Sequence, residues 1–414
     1  MAKNPYQPGV GTTPPYLAGR EAQLRRFQRI LDDYPEKRRN VRITGLRGVG
    51  KTVLLKEFER IARADRSRRW VVIRRDFVPR MTQEAEFVTA IAEYLREATD
   101  QLSVRSRLRN RLAETTKAIR EIQVELAEGL SLTVGASGKV ARNRIVEDRL
   151  RSAFAELGRL AAATRRGVVF MFDEAHEVFD QPRRGEYPLS ALLSAVVAAQ
   201  DHDDPPLPLM LVLCGLPSLP GHLRAARSHA ERLFRADELA NLALGADEGT
   251  VSEAELALTR PIEGGPIRFT QRTVKRVVQD VAGYPYFIQW FGEALWDAAA
   301  DAGSQVIDER MYATSRRLIR RGLDHEFYEG RYEEARAADQ LTLRAAASLG
   351  DETFIVADLN AALPTHKPNA IAQSLKRLAD ASIVYRIKHG RYGYTAPLFG
   401  DFLRREHPYG RDEG

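Results

Sequence analysis

The sequence predicts an α/β fold: a parallel β-sheet core covered by helices, then an all-helical lid, then a C-terminal winged helix-turn-helix. Three observations predict it. Short apolar runs alternate with longer helical patterns through the first 245 residues, and helical patterns alone continue to about Arg321. Near the C-terminus, three short helical stretches precede a pair of strand-like segments, which is the element order of a winged helix.

Four apolar runs form the predicted sheet, at 41–44, 70–73, 168–172 and 209–214. Strands that alternate with helices are typically parallel, and parallel strands are covered on both faces, so they read as continuous apolar runs. A weaker run at 239–244 is expected to add a fifth strand at one edge.

The N-terminal segment and the domain limits follow from the same patterns. Residues 1–18 contain four prolines and two glycines, which favour an extended strap, and a first helix follows from Glu21. We therefore expect a strap with the first helix at 1–37 and the core at 38–245. The lid is expected at 246–325 and the winged helix at 335–410.

About ninety residues separate the second and third strands, more than one crossover helix needs, which predicts an insertion at about 84–145. Its first part, to Leu126, has helical patterns. Leu130–Val134 and Gly135–Gly138 resemble one strand of a hairpin and its turn. The arginines of this insertion are interpreted as either a solvated helix face or a contact to DNA or a partner: Arg105, Arg107, Arg109 and Arg111.

Composition excludes several classes of protein. With 44% hydrophobic and 29% charged residues the chain is expected to be globular. No apolar run approaches the ~20 residues needed to span a bilayer. The first residues lack a secretory signal and Cys214 is the single cysteine, so we expect a cytoplasmic protein without disulfides. The net charge of +7 favours a polyanionic partner.

The strongest motif lies directly after the first strand. Residues 45–52 read Gly-Leu-Arg-Gly-Val-Gly-Lys-Thr and satisfy G-x-x-x-x-G-K-[ST]. Glycines let successive backbone N–H groups face one anion, and the following helix N-terminus adds positive charge. Lys51 is expected to reach the β- and γ-phosphates of a nucleotide, and the Thr52 hydroxyl to bind Mg²⁺. The predicted nucleotide-binding residues of the loop are Gly45, Leu46, Arg47, Gly48, Val49, Gly50, Lys51, Thr52 and Val53.

The third strand ends in two acids, Asp173 and Glu174. An apolar strand has no reason to carry carboxylates without a use for them, although a strand that simply ends at the surface is the alternative. We expect Asp173 to hold Mg²⁺ and Glu174 to polarise the attacking water, so Glu174 and Lys51 are candidate catalytic residues.

Together these features resemble an AAA+ ATPase, and among these the replication initiators and the related STAND signalling ATPases. The resemblance rests on the phosphate loop, the Asp173-Glu174 strand, Gly19-Arg20-Glu21 before the first helix, the lid and the winged helix. It implies that the segment 16–20, including Arg20, lies against the adenine. Residues 173–176 also spell the helicase DEAH box, but the flanking helicase motifs are absent, so His176 is interpreted as structural.

The family pattern is met only in part elsewhere. The fourth strand ends without a clear polar sensor, leaving Ser218 as a candidate. Arg232, or alternatively Arg235, stands where the resemblance implies an arginine that senses the γ-phosphate. In the lid, Tyr286 replaces the arginine of many AAA+ proteins, which favours the STAND pattern, in which Pro285 would pack on the nucleotide. The aromatic residues around it are interpreted mainly as lid core.

The predicted third helix of the winged helix would enter the major groove of duplex DNA. Its candidate DNA-binding residues are Lys367, Asn369, Gln373, Lys376 and Arg377, and those of the wing are Arg386, Lys388, His389 and Arg391. Such modules also dock proteins, and that alternative stays open.

The function expected from these features is a slow, partner-stimulated ATPase switch that uses ATP and Mg²⁺ and acts on or assembles at duplex DNA, with a homo-oligomer in the ATP state. The alternatives are a STAND-like signalling or defence scaffold whose winged helix binds protein, and a protein that binds nucleotide without turnover.

Overall fold

The computed structural model describes residues 3–9, 11–34, 36–37, 39–103, 109–129, 136–201, 206–245, 250–350 and 352–410. The chain divides into two compact units. The first, called here the sheet unit, comprises Glu21–Thr44 and Leu54–Glu238. The second, the terminal unit, comprises Met1–Arg20, Gly45–Val53 and Leu239–Gly414, and so includes the phosphate loop.

A five-stranded sheet with the order β2-β3-β4-β1-β5 organises the sheet unit. Its strands are β1 Asn40–Gly45, β2 Val71–Asp76, β3 Val168–Asp173, β4 Leu209–Gly215 and β5 Phe234–Leu239. The pairs β2-β3, β3-β4 and β4-β1 are parallel. Consequently β1 and β3, which flank β4, end at the same edge of the sheet.

Helices cover both faces of this sheet, as its uninterrupted apolar strands predict. The helices are α1 Glu21–Asp32, α2 Lys51–Ala64, α3 Glu84–Ser103, α4 Arg109–Gly129, α5 Ala136–Ala163, α6 Pro188–Asp201 and α7 Leu219–Ala226. All six residues of β3 are buried. Phe27 of α1 stacks on Phe58 of α2, with ring centroids 4.1 Å apart.

The predicted insertion is part of the main core. Ile91 of α3, Ile119 of α4 and Phe154 of α5 are buried in one cluster with Phe170 of β3. The arginines 105 and 107 lie outside the described residues, as does the predicted strand at 130–134. The turn predicted at 135–138 is wrong for Ala136–Gly138, which begin helix α5.

The fifth strand was also placed wrongly from the sequence. It is Phe234–Leu239, beside β1, rather than 239–244. The observed strand mixes buried and exposed residues, with Phe234, Asp237 and Leu239 buried and the other three exposed. An edge strand of this kind has no continuous apolar run, so the apolar segment that follows it gave a misleading signal.

The terminal unit contains the N-terminal strap and a helical region. Tyr6 of the strap is buried, and an added Cβ on Gly292 would lie 2.5 Å from its ring. The helices are α8 Glu253–Thr259, α9 Gln271–Asp280, α10 Pro285–Asp301, α11 Glu309–Leu323, a π-helical turn Asp324–Glu329 and α12 Gly330–Glu333. Two short parallel strands that the sequence did not indicate are β6 Arg268–Phe269 and β7 Val306–Ile307.

The C-terminal elements match their prediction closely. They are α13 Ala337–Leu349, β8 Thr353–Ile355, α14 Val356–Ala362, α15 Pro368–Asp380, β9 Val384–Lys388, β10 Arg391–Tyr394 and α16 Phe399–Glu406. Strand β10 pairs antiparallel with both β8 and β9, so the predicted hairpin is joined by one further strand.

None of the helices in the described ranges has the length and apolar character needed to cross a membrane.

Candidate nucleotide-binding site

The loop between β1 and α2 has a backbone that requires glycine. Gly48 and Gly50 have φ of +79° and +91°, in the left-handed region that other residues adopt only at a cost. Gly45 has no space for a side chain, because an added Cβ would lie 2.6 Å from the carbonyl oxygen of Leu239. These geometries explain why glycine stands at positions 45, 48 and 50 of the loop.

The polar groups of the loop suit an anionic ligand. Lys51, at the start of α2, is buried and its Nζ donates to the carbonyl oxygen of Leu46 at 2.9 Å. The Arg47 Nε is buried and has no hydrogen-bond partner among the residues that the structure describes. A buried N–H group without an acceptor costs free energy, and an anion oxygen would remove that cost. Thr52 is half-buried on the first turn of α2. These residues fit a polyphosphate.

Arg20, which follows the N-terminal strap, hydrogen-bonds to the backbone of the loop. Its Nη2 donates to the carbonyl oxygen of Val49 at 3.0 Å and to that of Ala240 at 2.9 Å, and the side chain is 95% buried. The resemblance implied that 16–20 lies against the adenine. The structure shows Arg20 bound to the loop backbone, and its contact with adenine stays a prediction.

The lid and the C-terminal elements bond directly to the loop. The Tyr286 N–H donates to the Gly48 carbonyl oxygen at 3.2 Å, and the Arg47 N–H donates to the Thr395 carbonyl oxygen at 3.0 Å. An added Cβ on Gly48 would lie 3.1 Å from the Tyr286 Cβ. Pro285 begins helix α10 beside this contact. A change in the loop backbone would therefore alter its hydrogen bonds to the lid and to the C-terminal elements.

In the sheet unit, the two acids lie at the carboxyl end of β3. Asp173 is 98% buried, and its Oδ1 accepts a hydrogen bond from the Glu174 N–H at 2.9 Å. Glu174 is in the left-handed region, with φ of 50°, which costs a non-glycine residue on the order of 1 kcal/mol. Such strain is often found at functional sites. Asp173 thus lies at the carboxyl edge of the sheet, where β1 also ends.

Histidine 176 links these acids to a second histidine that the sequence did not single out. The His176 Nδ1 lies 3.3 Å from the Glu174 Oε2, and its Nε2 lies 3.2 Å from the Glu177 Oε1. Burial, and then the proximity of His176, lower the pKa of His222 to about 4. The His222 ring also packs on Phe179, with centroids 5.1 Å apart. His222 lies on α7, some 46 residues after His176 in the chain, and no local pattern connects the two.

The candidate sensor residues occupy the following positions. Ser218 immediately precedes α7, and its carbonyl oxygen accepts from the Gly221 N–H at 2.9 Å. Arg232 is exposed in a short 3₁₀ turn, Ala230–Leu233, before β5, and Arg235 is exposed on β5. Their roles stay predictions.

The candidate DNA-binding residues of α15 separate into two groups. Lys367, Asn369, Gln373 and Lys376 are exposed. Arg377 instead donates through Nε and Nη2 to the buried Asp339, at 2.9 and 2.5 Å. That pairing joins α15 to α13, and DNA contact by Arg377 stays a prediction.

On the wing, Arg391 Nη2 donates to Thr353 Oγ1 at 3.0 Å. Arg386, Lys388 and His389 are exposed.

Comparison with known proteins agrees with this geometry. Residues 16–213 match a family model described as AAA ATPase domain, and residues 325–403 match a domain of unknown function (DUF8462). No curated protein sequence matches the chain.

Solved structures are similar over most of the chain. The Aeropyrum pernix ORC2 protein, solved as ADPNP-ADP complexes, has 14% sequence identity and a TM-score of 0.53, with 96% of this chain and 95% of that chain covered. The A. pernix ORC1 protein in complex with DNA has 14% identity and a TM-score of 0.47, covering 95% and 94%. The Thermotoga maritima RuvB Holliday junction branch migration motor has 13% identity and a TM-score of 0.42, covering 91% and 92%.

The family model covers strands β1 to β3, most of β4 and the phosphate loop, and the ORC2 match covers 96% of the chain. The chain therefore carries an AAA ATPase domain at residues 16–213, and its fold is similar to that of the ORC2 protein.

Proposed function

We propose that this protein is a switch that binds and slowly hydrolyses Mg²⁺·ATP, and that duplex DNA bound by its C-terminal elements stimulates hydrolysis. Two hydrogen bonds are the main support for this proposal. One joins Arg47 of the loop to Thr395, and the other joins Gly48 of the loop to Tyr286 of the lid. Through them, a nucleotide at the loop would bias the position of the lid and the C-terminal elements.

In this proposal the loop residues hold the nucleotide phosphates, with Lys51 as the main cation. Thr52 and Asp173 hold Mg²⁺, which supplies charge neutralisation at the transferring phosphate when bound. Glu174 orients and polarises the attacking water as a general base. Arg232 is proposed to stabilise the charge that develops on the transferring phosphoryl group.

DNA contact is proposed for the exposed polar face of α15 and for the wing. Three candidates on α15, Lys367, Gln373 and Lys376, are exposed and are not engaged in the Asp339 ion pair. Cations on such a module would give salt-dependent binding through phosphate contacts. We propose that α13–α15 and β8–β10 form a winged helix.

ATP turnover with and without duplex DNA tests the proposal in the wild type, Lys51→Ala and Glu174→Gln. We expect DNA-stimulated turnover in the wild type alone. Glu174→Gln should still bind ATP, and its turnover should fall by about 10²-fold or more, the usual contribution of a general base. Tight ATP binding without turnover in the wild type would contradict the hydrolysis part of the proposal.

For the DNA part, Lys376→Glu should weaken DNA retention, whereas Lys275→Glu, the same charge change on the exposed face of α9, should leave it unchanged. Equal retention by both variants and turnover that ignores DNA would favour the second candidate, a STAND-like scaffold. Tyr286 at the lid contact, in place of an arginine, is the observation that supports that candidate.

A further inference from the structure

The lid helix α10 carries Tyr286, an uncharged residue, at its contact with the phosphate loop. A nucleoside triphosphate concentrates negative charge at that loop, and a planar cation is the side chain best suited to several phosphate oxygens at once. The question is whether another element of the terminal unit supplies such a cation.

Arg331 on α12 and the phosphate loop both contact the aromatic ring of Phe327. Its guanidinium carbon is 4.5 Å from the ring centroid of Phe327. The Phe327 ring stacks on Tyr286 at 5.2 Å between centroids, and its Cζ lies 3.8 Å from the position of a Cβ added to Gly48. Phe327 thus contacts both the loop at Gly48 and the Arg331 guanidinium, a cation–π arrangement that limits the positions Arg331 can take.

The charges around Arg331 favour an anion. Burial lowers its pKa, and the guanidinium of Arg47 in the loop acts in the same direction, while Tyr328, Glu334 and Tyr286 oppose it. Within the described residues, no ion pair joins Arg331 or Arg47 to a carboxylate, and the Arg47 Nε has no hydrogen-bond partner. Two partly buried guanidinium groups near one another are stabilised by an anion that both can contact.

We propose that Arg331 binds the phosphate groups of the nucleotide, and that α12 thereby supplies the cation that α10 lacks at Tyr286. This inference rests on the proposed function, because it requires a nucleotide at the loop. It adds a binding residue that the motif pattern does not contain, from a short helix just before α13.

The position of Arg331 also connects the nucleotide to the C-terminal elements. Tyr328, on the turn before α12, donates from its hydroxyl to the Pro397 carbonyl oxygen at 2.7 Å. Tyr332, the residue after Arg331, stacks on His407 with ring centroids 3.9 Å apart. A phosphate contact at Arg331 would therefore act on a helix that is already packed against the C-terminal end of the chain.

The test is the affinity for ATP and ADP, measured by isothermal titration calorimetry on the full chain. The variants are Arg331→Ala and Arg331→Lys, with Arg317→Ala as the matched control for loss of one exposed arginine. We expect Arg331→Ala to raise the Kd for ATP about tenfold, the usual effect of losing one charge-assisted contact. Lysine should restore most of the affinity, and Arg317→Ala should stay within about twofold of the wild type.

Two results would overturn the assignment. One is an Arg331→Ala variant that binds ATP as tightly as the wild type. The other is an Arg331→Lys variant that binds as weakly as Arg331→Ala while both melt at lower temperature, which would show that Arg331 only packs on Phe327. A wild type that binds neither nucleotide would instead remove the proposed function, and the Arg331 assignment with it.

Discussion

Replacing His222 with glutamine should remove a large part of the acid sensitivity of the sheet unit. The His222 ring is packed on Phe179 and lies beside His176, and its pKa in the folded protein is about 4, against 6.5 when exposed. The folded state therefore holds His222 neutral where an unfolded chain would bind a proton. Its contribution to stability is fully present above pH 6.5 and is lost as the pH falls toward 4.

The size of the effect follows from the two pKa values. Each pKa unit corresponds to ~1.4 kcal/mol, so the full contribution is about 3 kcal/mol. Between pH 7 and pH 5, linkage predicts that the free energy of unfolding falls by about 2 kcal/mol because of His222 alone. Glutamine cannot take up the proton, so the variant should lack this part of the fall.

Urea unfolding followed by circular dichroism at several pH values between 7 and 5 measures this difference. All other titrating groups are shared by the two proteins, so the comparison isolates the effect of His222 together with its coupling to His176. The variant should start from a different stability at pH 7 but lose about 2 kcal/mol less than the wild type on acidification. Parallel curves for the two proteins would refute the assignment of a buried neutral His222.

Further predictions concern α13 and the loop. Asp339→Ala removes the buried carboxylate that accepts from Arg377 and Ser374 and should lower the midpoint of urea unfolding; an unchanged midpoint would contradict the packing role. Gly48→Ala places a Cβ 3.1 Å from the Tyr286 Cβ at a left-handed φ and should weaken ATP binding several-fold in calorimetry. Gly221→Ala, where the added Cβ meets nothing within 4 Å, is its control, and equal affinities would argue against the loop geometry.

Much of the fold could be predicted because its signals are local. The strands of the sheet interior are continuous apolar runs, and the loop motif is contiguous in sequence, so β1, β3 and the residues 45–52 were identified directly. The same holds for α13 to α15, whose helical periodicity is strong over short stretches.

The errors lie where tertiary contacts decide the structure. Strand β5 mixes buried and exposed residues at the sheet edge, and it carries the exposed Arg235 as well as the buried Asp237, so its pattern is weak. The pairing of Arg377 with Asp339 joins residues 38 positions apart, and sequence gives no signal for it.

The sequence predicted the motif residues of the candidate site but not the contacts that support them. Arg20 was placed near the loop by resemblance, but its bonds to Val49 and Ala240 depend on the folded strap. Arg331 and His222 come from elements far from the motifs in sequence, and each is brought into place only by packing against an aromatic ring.

Every role proposed for this protein requires that the loop that begins at Gly45 binds a nucleoside triphosphate. Calorimetric titration of the purified wild type with ATP in the presence of Mg²⁺ measures this directly, with Lys51→Ala as the variant that removes the main loop cation. We predict saturable binding of one ATP per chain in the wild type and a loss of at least about tenfold in affinity in the variant. A wild type without measurable heat of ATP binding, or an unchanged affinity in Lys51→Ala, would contradict the account.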